Sequence, residues 1–379
     1  MDSDKRRLLV IVSGLKAAGA ELMLFRMIMH LDRNRFNIHV ISLTSTDQVG
    51  IMMTAENIKV QSLCIDGFFT LITRFPLLIK LISEFKPDLV QTWMYHADLL
   101  GGLAARIAGY RNIVWSIRNS SLTLKSVKLS TFIVARFCAI LSSWLPKIII
   151  SCSDESRASH VAFGYSEEKM MVVPNGFELD RFIPNFVAKE AIRSEFGLSS
   201  DVLIVGLIGR YHIVKNHAGF IKSAIRISAI NPNVSFLLAG EGVDTSNADL
   251  IQMIDSARLL HRFHLLGQRS DMPLIMASID VLVSASSGEA FPNVIGEAMS
   301  CGVPCVATDV GETAYIIGDT GKVVPVNDSV ALADSVLEIL NMQCEARRDI
   351  GIKARERIVQ NFDIRIISSM YQNIYEQQF

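Results

Sequence analysis

Short apolar runs recur along the chain and alternate with segments that have helical periodicity. The runs are bounded by Gly, Pro or Asp and read LLVIVS, FNIHVISL, DLVQTWMY, NIVWSI, KIIISCS, VLIVGLIG, VSFLLAG, RFHLLG, DVLVSAS and PCVAT. Continuous apolar runs of this length are typical of strands buried on both faces, as in parallel sheets covered by helices. The pattern predicts an α/β chain with doubly wound parallel sheets.

The alternation stops once, between Met170 and Pro184, and restarts at Asp201. The interrupting stretch MMVVPNGFELDRFIP has two prolines, a turn-like Asn-Gly and no helical period. The length of 379 residues also exceeds the roughly 250 to 300 at which single cores stop growing. We therefore predict two Rossmann-like domains facing across a cleft, 1–172 and 186–362, joined by a hinge at 173–185. Ligands of such sheets bind outside the carboxyl ends of the strands.

Composition excludes several classes of protein. Half of the residues are hydrophobic, yet no uncharged apolar run reaches the length of about 18 that marks a membrane-spanning helix. Lys16 follows the first apolar run too soon for a signal peptide. The six cysteines lack CxxC spacing, which favours reduced thiols over disulfides or a zinc site. We expect a cytoplasmic protein that is soluble or sits on a membrane surface.

Glycines and basic residues follow three strands of the second half. GLIGRYHIVKN ends a strand at Gly209 and places Arg210 and Lys215 in the next loop, where both cations could reach one diphosphate. LLAGEGVD and HLLGQRSDMP end strands in the same way, and glycines there let a base or ribose approach the backbone. The structural alternative is solvated basic residues and ordinary tight turns.

The stretch SGEAFPNVIGEAMSCGVP predicts a helix from Pro292 to about Ser300 that stops at Gly302. Backbone amides near Asn293 and Val294 then point out of the helix start, where they suit an anion.

Two glutamates lie on either side of that helix start. Glu289 precedes the helix and Glu297 lies inside it, more than a turn later. Carboxylates accept hydrogen bonds from hydroxyl groups, and a nucleotide sugar has hydroxyls on both sides of its diphosphate. The alternative is a solvated loop glutamate and an exposed helix glutamate.

This series of motifs resembles the donor domain of retaining glycosyltransferases of family 4, which have the B-type fold of two Rossmann-like domains. The motifs are GR followed by KN, then GEG, then GEAFPNVIGEAMSCGVPCVATDVG. The resemblance covers essentially the whole chain. It implies that residues 363–379 form a helix belonging to the first domain.

The resemblance also implies roles for single residues. Arg210 and Lys215 would neutralise the donor diphosphate, Glu289 would contact the transferred sugar, and Glu297 would hold the ribose. Further donor contacts would come from Gly209, Glu241, Gln268, Arg269 and the backbone of Ala290, Phe291, Pro292, Asn293 and Val294. The family needs no metal ion, and we expect neither a metal nor a cofactor here, because cations and helix amides can stabilise the leaving diphosphate. The nucleotide sugar is a substrate.

The first half departs from the family pattern. SGLKAAGAELMLFRM has Gly14 and Gly19 before a helix, similar to the family's Gly-Gly-Ala-Glu loop, and it is not a Walker loop. Such a helix start could support the donor phosphate. Arg118 and Asn119, on the acceptor side, stand where many relatives have a cleft histidine. His96, at a strand-to-helix junction, is our candidate for substrate contact, against the alternative of a packed or capping histidine.

The first half is also basic and apolar. Residues 1–170 carry 20 Lys and Arg against 14 Asp and Glu, a net charge of +6, and no Asp or Glu occurs from Leu99 to Ser153. Cations interleaved with apolar residues suit an anionic membrane surface better than a nucleic acid. Lys125, Lys128 and Arg136 are the predicted membrane-facing cations. The alternative is a buried helix with its lysines in water.

These observations predict a retaining glycosyltransferase on the inner face of the cytoplasmic membrane. It would move a hexosyl or N-acetylhexosaminyl group from a nucleotide sugar, UDP-linked, to a polyprenyl-diphosphate-linked glycan. The product would be a cell-surface polysaccharide such as O-antigen or capsule. Three alternatives stay open: a soluble transferase acting on a small sugar or polysaccharide, a nucleotide-sugar epimerase of the same fold, and a non-catalytic partner subunit.

Overall fold

The computed structural model of the protein describes residues 5–119, 122 and 127–379. Within these residues the chain forms thirteen β-strands: β1 (Arg6–Val12), β2 (Phe36–Ser42), β3 (Lys59–Ser62), β4 (Leu89–Trp93), β5 (Ile113–Ile117), β6 (Ile148–Ser151), β7 (Met170–Val172), β8 (Leu203–Ile208), β9 (Val234–Ala239), β10 (Phe263–Leu265), β11 (Val281–Ser284), β12 (Cys305–Thr308) and β13 (Lys322–Val324).

The same residues form fifteen α-helices: α1 (Gly19–Met29), α2 (Asp47–Ala55), α3 (Phe68–Phe85), α4 (Tyr95–Ile107), α5 (Leu129–Leu141), α6 (Asp154–Phe163), α7 (Phe186–Glu195), α8 (His217–Ile230), α9 (Ala248–Ser256), α10 (Met272–Ser278), α11 (Asn293–Ser300), α12 (Thr313–Ile317), α13 (Ser329–Leu340), α14 (Cys344–Asn361) and α15 (Ile364–Glu376).

The chain divides into two compact units. Unit 1 consists of residues 1–176 together with 364–379, and unit 2 of residues 177–363. Each unit contains one parallel sheet with helices on both faces, so the predicted pair of doubly wound Rossmann-like domains is confirmed. The predicted hinge at 173–185 includes the residue pair at which unit 1 ends and unit 2 begins.

The sheet of unit 1 has seven parallel strands in the order β3-β2-β1-β4-β5-β6-β7. Successive residues of the central strand β1 point to opposite faces, and both faces are covered. Leu8, Val10 and Val12 pack into one core with helices α1, α2 and α15. Leu9 and Ile11 pack into the other core with helices α3, α4 and α5. Because neither face meets water, the strand is apolar at every one of these positions.

Helix α15 completes the first of those cores although it is the last helix of the chain. Ile367, Tyr371 and Tyr375 have no exposed surface and lie among residues of β1, β2 and α1. At the end of the helix, Glu376 pairs with Arg35 at 2.8 Å. The helix is therefore an integral part of unit 1.

The sheet of unit 2 has six parallel strands in the order β10-β9-β8-β11-β12-β13. Its core joins alternate residues of β8, β9 and β11 to helices α8, α9 and α13. The predicted helix in SGEAFPNVIGEAMSCGVP is present as α11, with Pro292 at its N-cap. Gly302, the predicted stop, has a φ of +72°, which glycine adopts without strain.

Three of these strands do not correspond to any of the apolar runs found in the sequence. They are β3, β7 and β13, and each lies at the edge of its sheet. Edge strands have one neighbour and meet solvent, so they are short and only partly buried. Their sequences, KVQS, MMV and KVV, lack the length and continuity that identify the central strands.

Candidate functional site

The topology of each sheet marks one place for a ligand. In unit 2 the strand order reverses between β8 and β11, so the connections that follow these two strands leave toward opposite faces. In an open parallel sheet, ligands bind in the crevice that this reversal creates at the carboxyl edge. The loops after β8 and β11 hold most of the predicted donor residues.

Lys215 and Glu289 meet at this reversal. The Lys215 Nζ lies 2.5 Å from the Glu289 Oε1, and the two side chains are 23% and 18% exposed. The Ser286 hydroxyl donates to the same carboxylate oxygen at 2.9 Å. The two loops are joined directly as well, because the Ser287 N–H donates to the Val214 carbonyl oxygen at 2.8 Å. Two residues predicted to act on one donor, 74 positions apart in the sequence, are thus in contact.

The loop after β8 is shaped by its own sequence. Residues Ile213–Lys215 form a single 3-10 turn, and Asn216 takes a left-handed conformation with a φ of +52°. Asparagine tolerates that conformation, and its side-chain oxygen accepts from the Gly219 N–H at 3.1 Å to cap α8. Lys215 therefore places a cation in the loop after β8, and the next residue, Asn216, caps helix α8. Arg210, at the start of the loop, is exposed.

Gly240, after β9, is required by close packing. Its φ is +149°, and a Cβ atom there would lie 2.3 Å from the Gly209 carbonyl oxygen. The loops after β8 and β9 therefore approach closely at the carboxyl edge. Glu241 is exposed. The Tyr211 N–H donates to the Glu241 carbonyl oxygen at 2.7 Å.

The residues around α11 contribute either backbone groups at the start of the helix or side chains in the core. Pro292 precedes the helix, so the amides of Asn293 and Val294 open its first turn. The ring of Phe291 is buried, with its centre 6.2 Å from that of Phe177 and 6.0 Å from that of Phe362. Only its backbone and that of Ala290 remain for the predicted donor contact. Glu297 is half-buried on the helix.

Arg269 is engaged in contacts that its sequence position did not reveal. Its guanidinium donates to Glu195 at 2.8 Å and to both carboxylate oxygens of Asp271 at 2.8 Å. These hydrogen bonds raise its pKa above the ordinary range. These contacts hold the Arg269 side chain, while Gln268 is exposed, and contact of this region with the base stays a prediction.

Sequence reasoning missed three features beside the Lys215–Glu289 pair. Ser286 orients Glu289, as described above. Gly311 has a φ of +54°, and a Cβ atom there would lie 2.3 Å from the Glu289 carbonyl oxygen, so the loop after β12 packs on the glutamate's backbone. The only available signal was the Asp-Val-Gly that follows β12.

His217, the first residue of α8, is the third feature. It is buried, and among the described residues neither ring nitrogen has a hydrogen-bond partner. Burial, and to a smaller extent the charge of Lys215, lower its pKa to about 4, so the ring is neutral at pH 7.

In unit 1 the strand order reverses between β1 and β4. Gly14 follows β1, and Gly19 is the first residue of α1. His96 is the second residue of α4 and is half-buried, and burial lowers its pKa. His96 and the Gly14 loop thus follow the two strands at which the order reverses, and their contact with substrate stays a prediction.

The backbone is strained at Met94, at the junction between β4 and α4. Its φ of +72° and ψ of 157° lie in a region that glycine alone adopts readily. The Ala97 N–H, one position beyond His96, donates to the Ser13 hydroxyl at 3.2 Å, which ties the start of α4 to the loop after β1. Strain of this kind clusters at functional sites. No sequence signal for it exists, because methionine is unremarkable at a helix start.

Arg118 is a structural residue of unit 1. Its guanidinium is buried, donates to Asn175 at 3.0 Å and to the Tyr371 hydroxyl, and lies 4.1 Å from the ring centre of Trp93. Burial lowers its pKa to about 10, which leaves it charged at pH 7. These contacts give Arg118 a role in the packing of unit 1, and its predicted place on the acceptor side stays a prediction. The Asn119 carbonyl oxygen accepts from Ser156 at 2.6 Å.

The predicted membrane-facing cations have different surroundings. Lys125 lies outside the described residues. Lys128 is exposed at the start of α5. Arg136 is exposed but donates to the Phe163 carbonyl oxygen at 2.7 Å and lies over the Phe163 ring. None of the helices in the described part of the chain is long and apolar enough to cross a membrane. Within the same residues, no group of three or more His, Cys, Asp or Glu side chains could hold a metal ion.

Family models match most of the chain. The model described as Glycosyltransferase Family 4 matches residues 17–181, and the one described as Glycosyl transferases group 1 matches residues 202–342. The chain belongs to the group 1 glycosyltransferases. It is therefore an enzyme that transfers hexosyl sugars.

Relatives of this glycosyltransferase include a galactosyltransferase and an enzyme of capsular polysaccharide biosynthesis. The chain is 28% identical to the UDP-Gal:alpha-D-GlcNAc-diphosphoundecaprenol alpha-1,3-galactosyltransferase of Escherichia coli, over 76% of this chain and 74% of the relative. It is 27% identical to the capsular polysaccharide biosynthesis glycosyltransferase CapM of Staphylococcus aureus, over 79% of each chain.

Solved glycosyltransferase structures share the fold. The Anabaena protein HepE in complex with UDP and glucose has a TM-score of 0.85 at 22% identity, covering 97% of this chain and 99% of that one. The lipopolysaccharide outer core galactosyltransferase WaaB in its apo form has a TM-score of 0.71 at 14% identity, covering 98% of this chain and 99% of that one. At these identities the likeness shows the fold alone.

Proposed function

We propose that this glycosyltransferase uses a UDP-sugar to extend a polyprenyl-diphosphate-linked glycan during cell-surface polysaccharide assembly, with retention at the anomeric carbon. The observation that carries the proposal is the Lys215–Glu289 contact at the strand reversal of unit 2. The name of the Escherichia coli relative, which specifies UDP-Gal and a diphosphoundecaprenol-linked acceptor, supports this choice of donor and acceptor. The proposed location is cytoplasmic, on the inner face of the cytoplasmic membrane.

The chemistry follows from charge development. Breaking the sugar–phosphate bond builds negative charge on the leaving diphosphate and positive charge on the sugar ring. Cations placed in advance at the phosphate stabilise that charge without reorganisation during the reaction. Arg210, Lys215 and the first amides of α11 take this role in the proposal. His96 is the proposed substrate-contacting residue of unit 1.

Lys215 changes partners in this mechanism. In the structure its ammonium group pairs with Glu289. A bound diphosphate offers more negative charge, so the ammonium turns toward it and the Glu289 carboxylate becomes free to accept a hydrogen bond from a sugar hydroxyl. Donor binding thereby prepares the carboxylate for the sugar, and the Ser286 hydroxyl keeps it oriented.

A thermal-shift assay on variants of the two glutamates tests these assignments, because a ligand that binds more tightly stabilises the folded protein more. With Glu297→Gln we expect weaker binding of both UDP and UDP-sugar, because the ribose is common to both. With Glu289→Gln we expect UDP binding that is unchanged or stronger, because Lys215 no longer leaves an ion pair to reach the diphosphate, and UDP-sugar binding that is weaker relative to UDP. Glu338→Gln, an exposed glutamate of α13, is the matched control. Equal losses for both ligands in both variants would show that the roles are misassigned.

The proposal also holds that transfer requires no metal ion, because Arg210 and Lys215 supply the positive charge at the diphosphate. Transfer should therefore continue at its full rate after dialysis against EDTA. A rate that collapses and returns on adding Mg²⁺ or Mn²⁺ would contradict this part of the proposal.

A further inference from the structure

Helix α5 of unit 1 presents a row of large apolar side chains to solvent. Its members are between 47% and 66% exposed and lie three or four residues apart, which puts them on one side of the helix: Leu129, Ile133, Phe137, Ile140 and, just past the helix end, Trp144. We call these five residues the α5 row. The opposite side of the helix, with Ala135, Cys138 and Ala139, packs into the core.

An exposed row of this kind differs from the scattered apolar residues found on any protein surface. Single exposed apolar side chains are ordinary, but contiguous ones mark sites of interaction. The buried-helix alternative is therefore wrong, because α5 lies at the surface with its most apolar side outward. Trp144 adds a specific indication, since tryptophan concentrates at the boundary between a bilayer and water.

Basic residues surround the Trp144 end of the row. The Arg106 guanidinium donates to the Trp144 carbonyl oxygen at 2.6 Å and lies 5.1 Å from the centre of its indole ring. The Lys169 ammonium donates to the Pro146 carbonyl oxygen at 2.9 Å. Arg111 and Lys147 are exposed. We call Arg106, Arg111, Lys147 and Lys169 the basic cluster.

Positive charges within the basic cluster repel one another. Partial burial and then the charge of Arg111 lower the pKa of Arg106. Burial also lowers the pKa of Lys169, with Glu168 opposing the shift and Arg106 adding to it. Because no Asp or Glu occurs from Leu99 to Ser153, the sequence between α4 and α6 brings no carboxylate to the row. An anion from outside the chain would relieve this repulsion.

We propose that the α5 row inserts into the surface of an anionic bilayer and that the basic cluster contacts the lipid phosphates beside it. The occupant follows from the combination of the apolar α5 row, which includes an interfacial tryptophan, with the neighbouring basic cluster, whose positive charges outnumber the nearby carboxylate of Glu168. A helix with this distribution lies in the plane of the interface with its apolar side in the acyl boundary. The proposal deepens the proposed function and rests on it, because a polyprenyl-linked acceptor resides in such a bilayer.

The surface differs from the one predicted from sequence. Sequence predicts Lys125, Lys128 and Arg136 as the membrane-facing cations, whereas the basic cluster draws on α4, the loops after α4 and α5, and the residue before β7. Arg136 already has an internal acceptor in Phe163. The apolar side chains, which sequence alone could not distinguish from core residues, provide the insertion.

The test is co-sedimentation with vesicles of phosphatidylglycerol and phosphatidylethanolamine across a salt series. The double variant Ile133→Ser, Phe137→Ser should weaken binding by about tenfold or more, because two large apolar side chains no longer leave water. The control is Ile51→Ser, a residue 66% exposed on α2, which packs on the other face of the sheet. It should bind like wild type.

A second pair of variants tests the charges. Arg111→Glu together with Lys147→Glu should weaken binding by about fivefold or more per residue, since each near-surface cation contributes about 1 kcal/mol. Lys222→Glu together with Lys353→Glu, exposed lysines of unit 2, should have no such effect. Wild type should leave the vesicles at high salt and bind poorly to phosphatidylcholine alone.

Three results would overturn the proposal. They are no binding of wild type to anionic vesicles at low salt, equal binding of both variant pairs and wild type, and a wild-type dimer that the Ile133→Ser, Phe137→Ser pair dissociates in sedimentation velocity. The last result would identify a second copy of the chain as the occupant. Circular dichroism establishes that each variant is folded.

Transfer to a water-soluble acceptor analogue separates this proposal from the proposed function. The vesicle variants should retain UDP-sugar binding and that transfer. If wild type binds vesicles but transfers nothing, the proposed function fails and the membrane surface stands. If transfer is normal and vesicle binding is absent, only the surface is wrong.

Discussion

Lys215→Ala should lower turnover by about 100-fold or more, because it removes positive charge from the place where negative charge develops in the transition state. Arg210→Ala should have an effect of the same order. Neither variant should unfold the protein, since Arg210 is exposed and the Lys215–Glu289 pair is partly exposed. The measurement is the steady-state rate of sugar transfer, with the thermal midpoint as a check on folding.

Lys222→Ala is the matched control for the Lys215 experiment. Lys222 is an exposed lysine on α8, the helix that begins just after Lys215, so its removal changes net charge equally without touching the strand reversal. We expect wild-type turnover. Near-normal turnover in Lys215→Ala or Arg210→Ala would refute their assignment to the diphosphate.

Asp280→Ala should destabilise unit 2 by about 3 to 5 kcal/mol, because it leaves buried positive charge without its partner. The Asp280 side chain is 2% exposed, pairs with Lys189 at 2.5 Å and with Arg193 at 3.2 Å, and accepts from the Ile204 N–H at 2.9 Å. The residue thus joins α7 to the amino ends of β8 and β11. The measurement is the urea midpoint of the unfolding of unit 2.

Asp334→Ala provides the comparison for Asp280. Asp334 also pairs with an arginine of unit 2, Arg226 at 2.6 Å, but both side chains are about half exposed. Solvent screens such a pair, so its loss should shift the midpoint only slightly. Equal shifts in the two variants would show that burial of Asp280 does not determine its contribution.

Central strands and the α11 helix could be predicted from sequence because their signals are local. A strand such as β1 is apolar at successive positions because both faces are covered, and α11 has a proline at its start and a glycine at its end. Edge strands such as β3 lack that signal, because one side of each meets solvent.

Contacts between distant parts of the chain limit how much of the candidate site could be predicted from sequence. Lys215 and Glu289 were grouped by family resemblance, and their contact depends on β8 and β11 being neighbours in the sheet. Arg118 was placed by its position after β5, but its environment is set by Tyr371, 253 residues later. One partner of Arg269, Glu195, likewise comes from a distant element, α7. Burial of this kind depends on the tertiary fold, which local patterns do not encode.

The position of α15 in the chain reverses the order in which the two units can finish folding on the ribosome. Domains generally fold as they emerge, the N-terminal one first. Here unit 2 is complete once Asp363 has been synthesised, whereas unit 1 still lacks Tyr371 and Tyr375, which fill its core. The nascent first unit therefore keeps one apolar side uncovered during synthesis of the whole second unit. A stop codon before α15 would remove only the end of the chain yet damage the beginning of the molecule.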